Sequence, residues 1–200
     1  MNNKPDYDYF PSLETARLKL RPLAVEDVDF FFSLLTDPKV TQYTMDEPPS
    51  DCGQAGDLIR FYLGPQGKTE NRWGIIHKED GRLIGTCGFH KWNQQCMRAE
   101  IGCDLSPDYW GRGYMTEALQ AAIRNGFERM KLNRIEAIVY VNNNPCIRLL
   151  ERLGFQKEGR LRDYYYLNGK FHDQYSFSLL RKEEDCQNPA RSLAAPEGEF

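Results

Sequence analysis

Two glycines separated by one arginine, Gly111-Arg112-Gly113, precede the most regular helical pattern in the chain. Glycine adopts backbone conformations that are barred to other residues and lets the chain approach a ligand closely. The N-terminus of the following helix presents unpaired N–H groups and the positive end of the helix dipole. The segment therefore predicts a cradle for an anion such as a phosphate or pyrophosphate, with a plain tight turn as the alternative.

Two familiar nucleotide-binding motifs do not fit this segment. A P-loop requires the pattern GxxxxGK[ST], and no lysine follows the glycines here; a Rossmann fingerprint requires a third glycine where this chain has Thr116. The strands before the segment also have the pattern of a meander rather than the start of a βαβ unit. The glycines alone therefore leave the anion unidentified.

The elements around this segment follow from hydrophobic periodicity and turn residues. From Met115 onward, apolar or small residues recur at helical spacing, and the Asn168-Gly169 pair predicts a closing β-hairpin. We expect strands at 17–22, 73–77, 82–89, 99–105, 135–141, 156–166 and 170–180, and helices at 25–35, 54–63, 115–130 and 145–153. This order predicts an α/β (α+β) fold with a mixed, mostly antiparallel sheet.

Residues 110–118, WGRGYMTEA, resemble the acetyl-CoA pyrophosphate loop of the GNAT N-acyltransferase superfamily. They are most similar to the Rim-type branch, the ribosomal-protein N-acetyltransferases and their relatives, in which the motif is W-G-x-G-Y-[AM]-[ST]-E-A. Trp110 and Met115 depart from the general pattern [QR]-x-x-G-x-[GA], and both are normal for this branch. The resemblance implies the GNAT fold, a twisted sheet of about seven strands flanked by about four helices.

Three further motifs occur in the order typical of that branch. Residues 99–102 (AEIG) are similar to the strand before the loop, and residues 143–155 (NNPCIRLLERLGF) are similar to N-x-[AP]-S-x-x-[LV]-x-x-x-L-G-F. The spacing of the closing hairpin is matched by Glu158, Gly159, Arg162, Gly169 and Asp173. The likeness covers residues 13–182, which we expect to form one N-acetyltransferase domain between a flexible leader (1–12) and a disordered tail (183–200).

The resemblance implies that acetyl-CoA is the acyl donor and that three parts of the chain bind it. The strand residues whose backbone pairs with the pantetheine arm are Cys103, Asp104 and Leu105. The loop whose amides hold the pyrophosphate comprises Gly111, Arg112, Gly113, Tyr114, Met115 and Thr116, with Arg112 as a charged contact. Asn143 binds the pantetheine or thioester region, and Arg148 either approaches the phosphates or is an ordinary exposed helix residue.

Acetylation requires the neutral form of an amine, whereas an α-amino group has a pKa near ~8 and a lysine near ~10.4. A general base is therefore useful, and Glu100 is the candidate because similar enzymes place a glutamate on this strand. A solvated or salt-bridged strand glutamate is the alternative. A strand-end N–H near Cys103 is the candidate donor to the oxyanion that forms during the reaction.

The proton donor for the departing CoA thiolate stays open. The tyrosine that many GNAT enzymes use is replaced here by Leu150. Cys146 stands where Rim-type relatives have a serine, at a helix N-terminus whose dipole is expected to lower the thiol pKa. It either donates the proton, contacts the thiolate or is a buried residue without chemistry. The other candidate is one of Tyr164, Tyr165 and Tyr166, and strand alternation places Tyr164 and Tyr166 on one face.

The function implied by the resemblance is transfer of acetyl from acetyl-CoA to a primary amine by direct attack in a ternary complex. The Rim-type likeness suggests the α-amino group of a peptide N-terminus, such as that of a ribosomal protein. Small-molecule amines, including polyamines, aminoglycoside-type antibiotics and amino-acid analogues, are the alternative. A non-catalytic CoA sensor is a further alternative, because the usual tyrosine is missing.

Composition narrows the partners. The 200-residue chain has a formal net charge of −3, which provides no positive field for nucleic acid or an anionic membrane. It shows no signal-peptide pattern and no run of ~18 apolar residues, so we expect no membrane span. The cysteines lack CxxC spacing and the histidines lie far apart, which favours reduced thiols, a cytoplasmic location and no metal site. A monomer and a homodimer both stay open.

Overall fold

The computed structural model describes residues 9–44, 47–63 and 70–183. The described strands are β1 (Leu13–Glu14), β2 (Leu18–Pro22), β3 (Trp73–His77), β4 (Leu83–Asn93), β5 (Arg98–Leu105), β6 (Arg134–Tyr140), β7 (Gln156–Leu167) and β8 (Lys170–Leu180). The described helices are α1 (Val28–Thr36), α2 (Pro38–Thr41), α3 (Cys52–Leu63), α4 (Tyr114–Glu128) and α5 (Asn144–Arg152), with 3-10 turns at Val25–Asp27 and Pro107–Tyr109. Every strand and helix expected from the sequence is present, with ends that differ by a few residues.

Two elements, β1 and α2, are additional to that expectation. β1 has only 2 residues, which is too short to show a periodic pattern. α2 begins with a signal that the sequence does contain. Asp37 caps the helix by accepting a hydrogen bond from the Lys39 amide at 2.8 Å, and Pro38 occupies the first turn. The sheet therefore has 8 strands instead of about seven.

The strands lie in the order β1-β2-β3-β4-β5-β6-β8-β7. Neighbouring strands are antiparallel except β5 and β6, which are parallel. A parallel pair needs a crossover connection, and α4 provides it between β5 and β6. The structure thus confirms the mixed, mostly antiparallel α/β fold.

Helix α4 buries the apolar stripe that its sequence shows. Its buried face includes Met115, Ala118, Leu119, Ala122, Ile123 and Phe127. Gly126 allows this face to come close to β4, because a Cβ at Gly126 would lie 2.8 Å from the Cζ atom of Phe89. Close packing of the helix on the sheet also fixes the position of its N-terminus, where the glycine loop begins the helix.

The described part of the predicted leader packs against the core. Tyr9 contacts Trp92 edge to face with ring centroids 4.9 Å apart, and Phe10 contacts Trp73 in the same way at 5.7 Å. The Trp73 indole also donates a hydrogen bond to the Pro11 carbonyl at 2.9 Å. These residues therefore belong to the folded part, whereas residues 1–8 of the leader lie outside the described residues.

The predicted tail is described only at Glu183. Its carboxylate accepts hydrogen bonds from the Leu180 amide and the Gln156 side chain, each at 2.9 Å. This residue is therefore tied to the sheet, and 184–200 lie outside the described residues. Within the part of the chain that the structure describes, no helix is long and apolar enough to cross a membrane.

Candidate active site

Strands β5 and β6 diverge after a short paired stretch. Their Cα partners run only from Arg98 with Arg134 to Glu100 with Glu136. The two strands therefore form a V, with its vertex at Glu100 and its mouth near Leu105. The backbone of 101–105 on the side facing β6 has no strand partner there, so β5 presents an open edge inside the sheet.

One cavity, with a volume of about 630 Å³, joins this V to the glycine loop and the first turn of α4. Most of the residues that the sequence assigns to the site line it: Glu100, Cys103, Asp104, Leu105, Gly111, Gly113, Tyr114, Met115, Thr116, Asn143 and Cys146. Arg112 and Arg148 do not line the cavity, whereas Arg152, one helical turn after Arg148, does. The structure thus brings together the residues predicted to bind the donor, except those two arginines.

The glycine loop has the backbone that the sequence predicts. Gly111 and Gly113 have φ angles of +73° and +78°, a left-handed region that disfavours other residues. Gly113 is the N-cap of α4, so the amides of the first turn lack partners within the helix. A Cβ at Gly111 would meet no atom within 4 Å, which leaves space for a ligand beside the loop.

Arg17 and Glu117 connect this loop to the start of the fold. Arg17 donates from Nη1 to the Arg112 carbonyl at 3.0 Å and from Nε to Glu117 at 2.7 Å. Glu117 also accepts hydrogen bonds from the Arg17 amide at 2.8 Å and the Thr15 hydroxyl at 2.6 Å. Sequence reasoning missed this contact because Thr15 and Arg17 are 100 or more residues from Glu117 and belong to no recognisable motif, although Glu117 lies within the loop motif.

A second support for the loop is a hydrogen-bonded chain of Asp80, His77 and Tyr114. The Tyr114 hydroxyl lies 3.0 Å from His77 Nε2, and His77 Nδ1 lies 3.0 Å from Asp80 Oδ1. Because a carboxylate only accepts, His77 donates from Nδ1 to Asp80, and its Nε2 atom is left for the Tyr114 hydroxyl. His77 and Tyr114 are each 8% exposed, so this chain fixes the first residue of α4 from inside the protein.

Glu100 lies at the vertex of the V and is partly paired. Its Oε2 atom accepts a hydrogen bond from Lys91 Nζ at 3.0 Å, and its Oε1 atom lies 3.9 Å from His90 Nε2. Lys91 has a φ angle of +53° at a register shift between His90 and Asn93, an irregularity in β4 opposite β5. The salt-bridged state that the sequence left open is therefore present, although the carboxylate still lines the cavity.

Cys146 is half-buried at the start of α5. Asn143 caps this helix, because its Oδ1 atom accepts a hydrogen bond from the Cys146 amide at 3.1 Å. Burial raises the pKa of the Cys146 thiol to about 12, and the charge of Asp104 acts in the same direction. The expected lowering of this pKa by the helix dipole is therefore wrong, because loss of solvation outweighs the dipole.

Arg72 and His90 also line the cavity and were not found from the sequence. Arg72 forms an ion pair with Asp104, and the two side chains are only 11% and 10% exposed. Burial lowers the pKa of His90 to about 3, with the positive charge of Arg72 contributing, so His90 is neutral at physiological pH. The Asp104 carboxylate is thus engaged, and its backbone is the part that remains for an extended ligand.

The three consecutive tyrosines of β7 do not alternate between the two faces of the sheet as the sequence predicts. Both Tyr164 and Tyr165 line the cavity, whereas Tyr166 does not. Simple strand alternation fails because the pairing of β7 with β8 shifts register between Leu161 and Tyr165, and Asp163 has a φ angle of +51°. This bulge turns two consecutive tyrosines toward the cavity.

Comparison with known proteins agrees with this geometry. The acetyltransferase (GNAT) domain family matches residues 17–156. An uncharacterized N-acetyltransferase, p20 of Bacillus licheniformis, is 47% identical over 174 residues, covering 86% of this chain and 97% of that protein. The spermidine N(1)-acetyltransferase of Escherichia coli K12 is 28% identical over 181 residues, covering 90% and 95%. The crystal structure of a GNAT-family acetyltransferase from Bacillus anthracis has a TM-score of 0.77 at 26% identity, covering 86% and 99%. The chain therefore belongs to the GNAT acetyltransferase family.

Proposed function

We propose that this chain transfers the acetyl group of acetyl-CoA to a primary amine by direct attack within a ternary complex. The observation that carries the proposal is the continuous cavity that joins the open inner edge of β5 to the left-handed glycine loop. An extended ligand with an anionic end fits this shape, because strand backbone binds its amides and free helix amides bind its phosphates.

The donor is held by four features of the chain. The pantetheine arm pairs with the backbone of 103–105, and the amides of 111–116 bind the pyrophosphate. Asn143 uses Oδ1 as the helix cap, so its Nδ2 group is the part that binds a donor carbonyl. Arg152, rather than Arg112 or Arg148, supplies the positive charge on the cavity wall at α5.

In the reaction, Glu100 accepts a proton from the bound ammonium group, directly or through water. The neutral nitrogen attacks the thioester carbonyl, a C–N bond forms, the C–S bond breaks, and the thiolate takes up a proton. A Cys146 thiol with a pKa of about 12 is a poor donor to a thiolate whose ordinary pKa is ~8.5. We therefore assign Cys146 to a contact with the sulfur, and Tyr164 and Tyr165 are the candidate proton donors.

Two acceptor classes follow. The α-amino group of a peptide is suggested as the acceptor by the Rim-type loop motif of residues 110–118. A small-molecule amine is favoured by the similarity to the spermidine N(1)-acetyltransferase, which extends over 90% of this chain.

The deciding experiment measures CoA release with a thiol reagent, using acetyl-CoA and a panel of peptides, polyamines, aminoglycosides and amino acids. Glu100→Gln is compared with Glu136→Gln, which alters the residue opposite Glu100 on β6. The two side chains are matched, because Glu136 is 21% exposed, Glu100 is 17% exposed, and both form ion pairs with cationic side chains. Because general base catalysis contributes about a hundredfold or more, we expect acceptor-dependent release to fall at least about tenfold only in Glu100→Gln.

Other outcomes would change the assignment. Binding of CoA without acceptor-dependent release from any amine favours the non-catalytic sensor. Equal loss in Glu100→Gln and Glu136→Gln removes Glu100 from the role of base and indicates a structural effect. Absence of acetyl-CoA binding contradicts the proposal as a whole.

A further inference from the structure

The charges that line the candidate active site are unequal. Among the described residues, the cationic side chains on the cavity wall are Lys39, Arg72, Lys91 and Arg152, and the carboxylates are Glu100 and Asp104. His90 adds no charge, because burial lowers its pKa to about 3. The described wall therefore carries an excess of positive charge, although the chain as a whole has a net charge of −3.

Both carboxylates are already neutralised by neighbouring cations. Glu100 is bound by Lys91 at 3.0 Å, and Asp104 is bound by Arg72 in the buried ion pair. A further ammonium group of a polycation therefore competes with Lys91 or Arg72 for either carboxylate. The wall thus offers little attraction for a polyamine.

Of the four cations, Arg72 and Lys91 bind the two carboxylates, whereas Arg152 and Lys39 form no ion pair within the described residues. The backbone amide of Lys39 is fixed by the Asp37 cap at 2.8 Å. It lines the cavity from α2 together with Val40 and Tyr43, and Arg152 lines it from α5 beside the arm-binding residues. Lys39 is therefore the described cation on this wall that is left for the acceptor.

A positive wall also helps the chemistry. Nearby positive charge disfavours the ammonium form of a bound amine and so lowers the pKa of that amine. An acceptor that carries its own negative group is attracted by Lys39 while its amine still loses a proton to Glu100. A polycationic acceptor has no negative group for Lys39 to attract, and its additional ammonium groups are repelled by the positive wall.

We infer that the acceptor is a primary amine that also carries a carboxylate, and that Lys39 binds this carboxylate. The inference rests on the proposed function and specifies its substrate class. The carboxylate belongs either to a small amino acid or to an acidic residue at the N-terminus of a peptide. Matched substrates distinguish these two sources.

The test compares acceptors that differ only in charge, by kcat/KM for CoA release. β-Alanine is paired with β-alaninamide, a peptide starting with Asp is paired with the same peptide starting with Asn, and spermidine represents the polycations. A charge-assisted contact is worth about 1.5 kcal/mol or more, so we expect the carboxylate member of one pair to be favoured about tenfold or more. Whichever pair shows this preference identifies the source.

Lys39→Gln is compared with Lys19→Gln, which removes an exposed lysine of β2 that does not line the cavity. We expect Lys39→Gln to abolish most of the carboxylate preference by lowering kcat/KM far more for the carboxylate member than for the neutral member, whereas Lys19→Gln keeps the preference. Equal melting temperatures show that the variants are folded. Equal use of both members of each pair, or a preference for spermidine, overturns the inference and leaves the proposed function standing. No release from any amine overturns both.

Discussion

Replacement of Gly111 by alanine separates ligand binding from backbone strain, because the chain contains a matched control. Gly111 and Gly169 have φ angles of +73° and +78°, and a Cβ at either position would meet no atom within 4 Å. A non-glycine residue in this region costs about 1–2 kcal/mol. We therefore expect Gly111→Ala and Gly169→Ala to lose about the same free energy of unfolding.

Only Gly111 lies on the cavity wall, where the proposed pyrophosphate approaches the backbone. Loss of one hydrogen bond to a charged group is worth about 1.5–3 kcal/mol, which corresponds to a rise in Kd of about tenfold to a hundredfold. We expect this rise for CoA with Gly111→Ala and no change with Gly169→Ala. Urea unfolding measures the stability term, and titration calorimetry with CoA measures the affinity.

The decisive result is the difference in CoA affinity between Gly111→Ala and Gly169→Ala when both variants lose the same free energy of unfolding. If Gly111→Ala binds CoA as tightly as the unaltered chain, the phosphates do not approach this part of the loop. If Gly169→Ala weakens CoA equally, the effect arises from general loss of stability. Either result refutes the assignment of the loop.

Three further predictions follow from charges and thiols. The hydrogen bonds from Arg134 lower the pKa of Glu158 to about 2. The ionised carboxylate therefore stabilises the fold above its ordinary pKa of ~4.3, and this contribution is lost as pH falls toward 2. This carboxylate is 42% exposed, so we expect the contribution to be less than about 1 kcal/mol. Urea unfolding at several pH values should show that Glu158→Gln removes this part of the pH dependence of stability; an unchanged pH dependence contradicts a stabilising ion pair between Arg134 and Glu158. Because the pKa of the Cys146 thiol is raised to about 12, we expect iodoacetamide at pH 8 to label the exposed Cys52 but not Cys146. Peptide mass mapping measures the labelling, and equal labelling of the two cysteines contradicts the raised pKa. Asp104→Asn leaves the buried Arg72 charge unpaired and should lower unfolding stability by about 3–5 kcal/mol, whereas adding Arg72→Met should restore much of it; a single variant of normal stability is the contrary result.

The parts of the site that were predictable depend on local sequence. The glycine loop and α4 follow from two glycines and a long apolar stripe, because backbone conformation and helical periodicity are decided by neighbouring residues. The fold class follows from the order of such elements. The short helix α2 was within reach, since Asp37-Pro38 is a start signal in its own right.

The parts that were missed depend on contacts between distant residues. Glu117 meets Arg17 across 100 residues, and Asp104 meets Arg72 across 32 residues. No periodic pattern records such pairs. The pKa of Cys146 shows the same limit, because a helix N-terminus can be recognised locally but burial depends on the whole fold.

The divergence of β5 and β6 has a consequence for association between molecules. Unpaired strand edges on the outside of a sheet invite other chains to add to them and so promote aggregation. Here the unpaired backbone of 101–105 lies between two strands of the same sheet, where it is shielded on both sides. The fold thus keeps an open strand edge inside the sheet without the aggregation risk of an open edge on its outside.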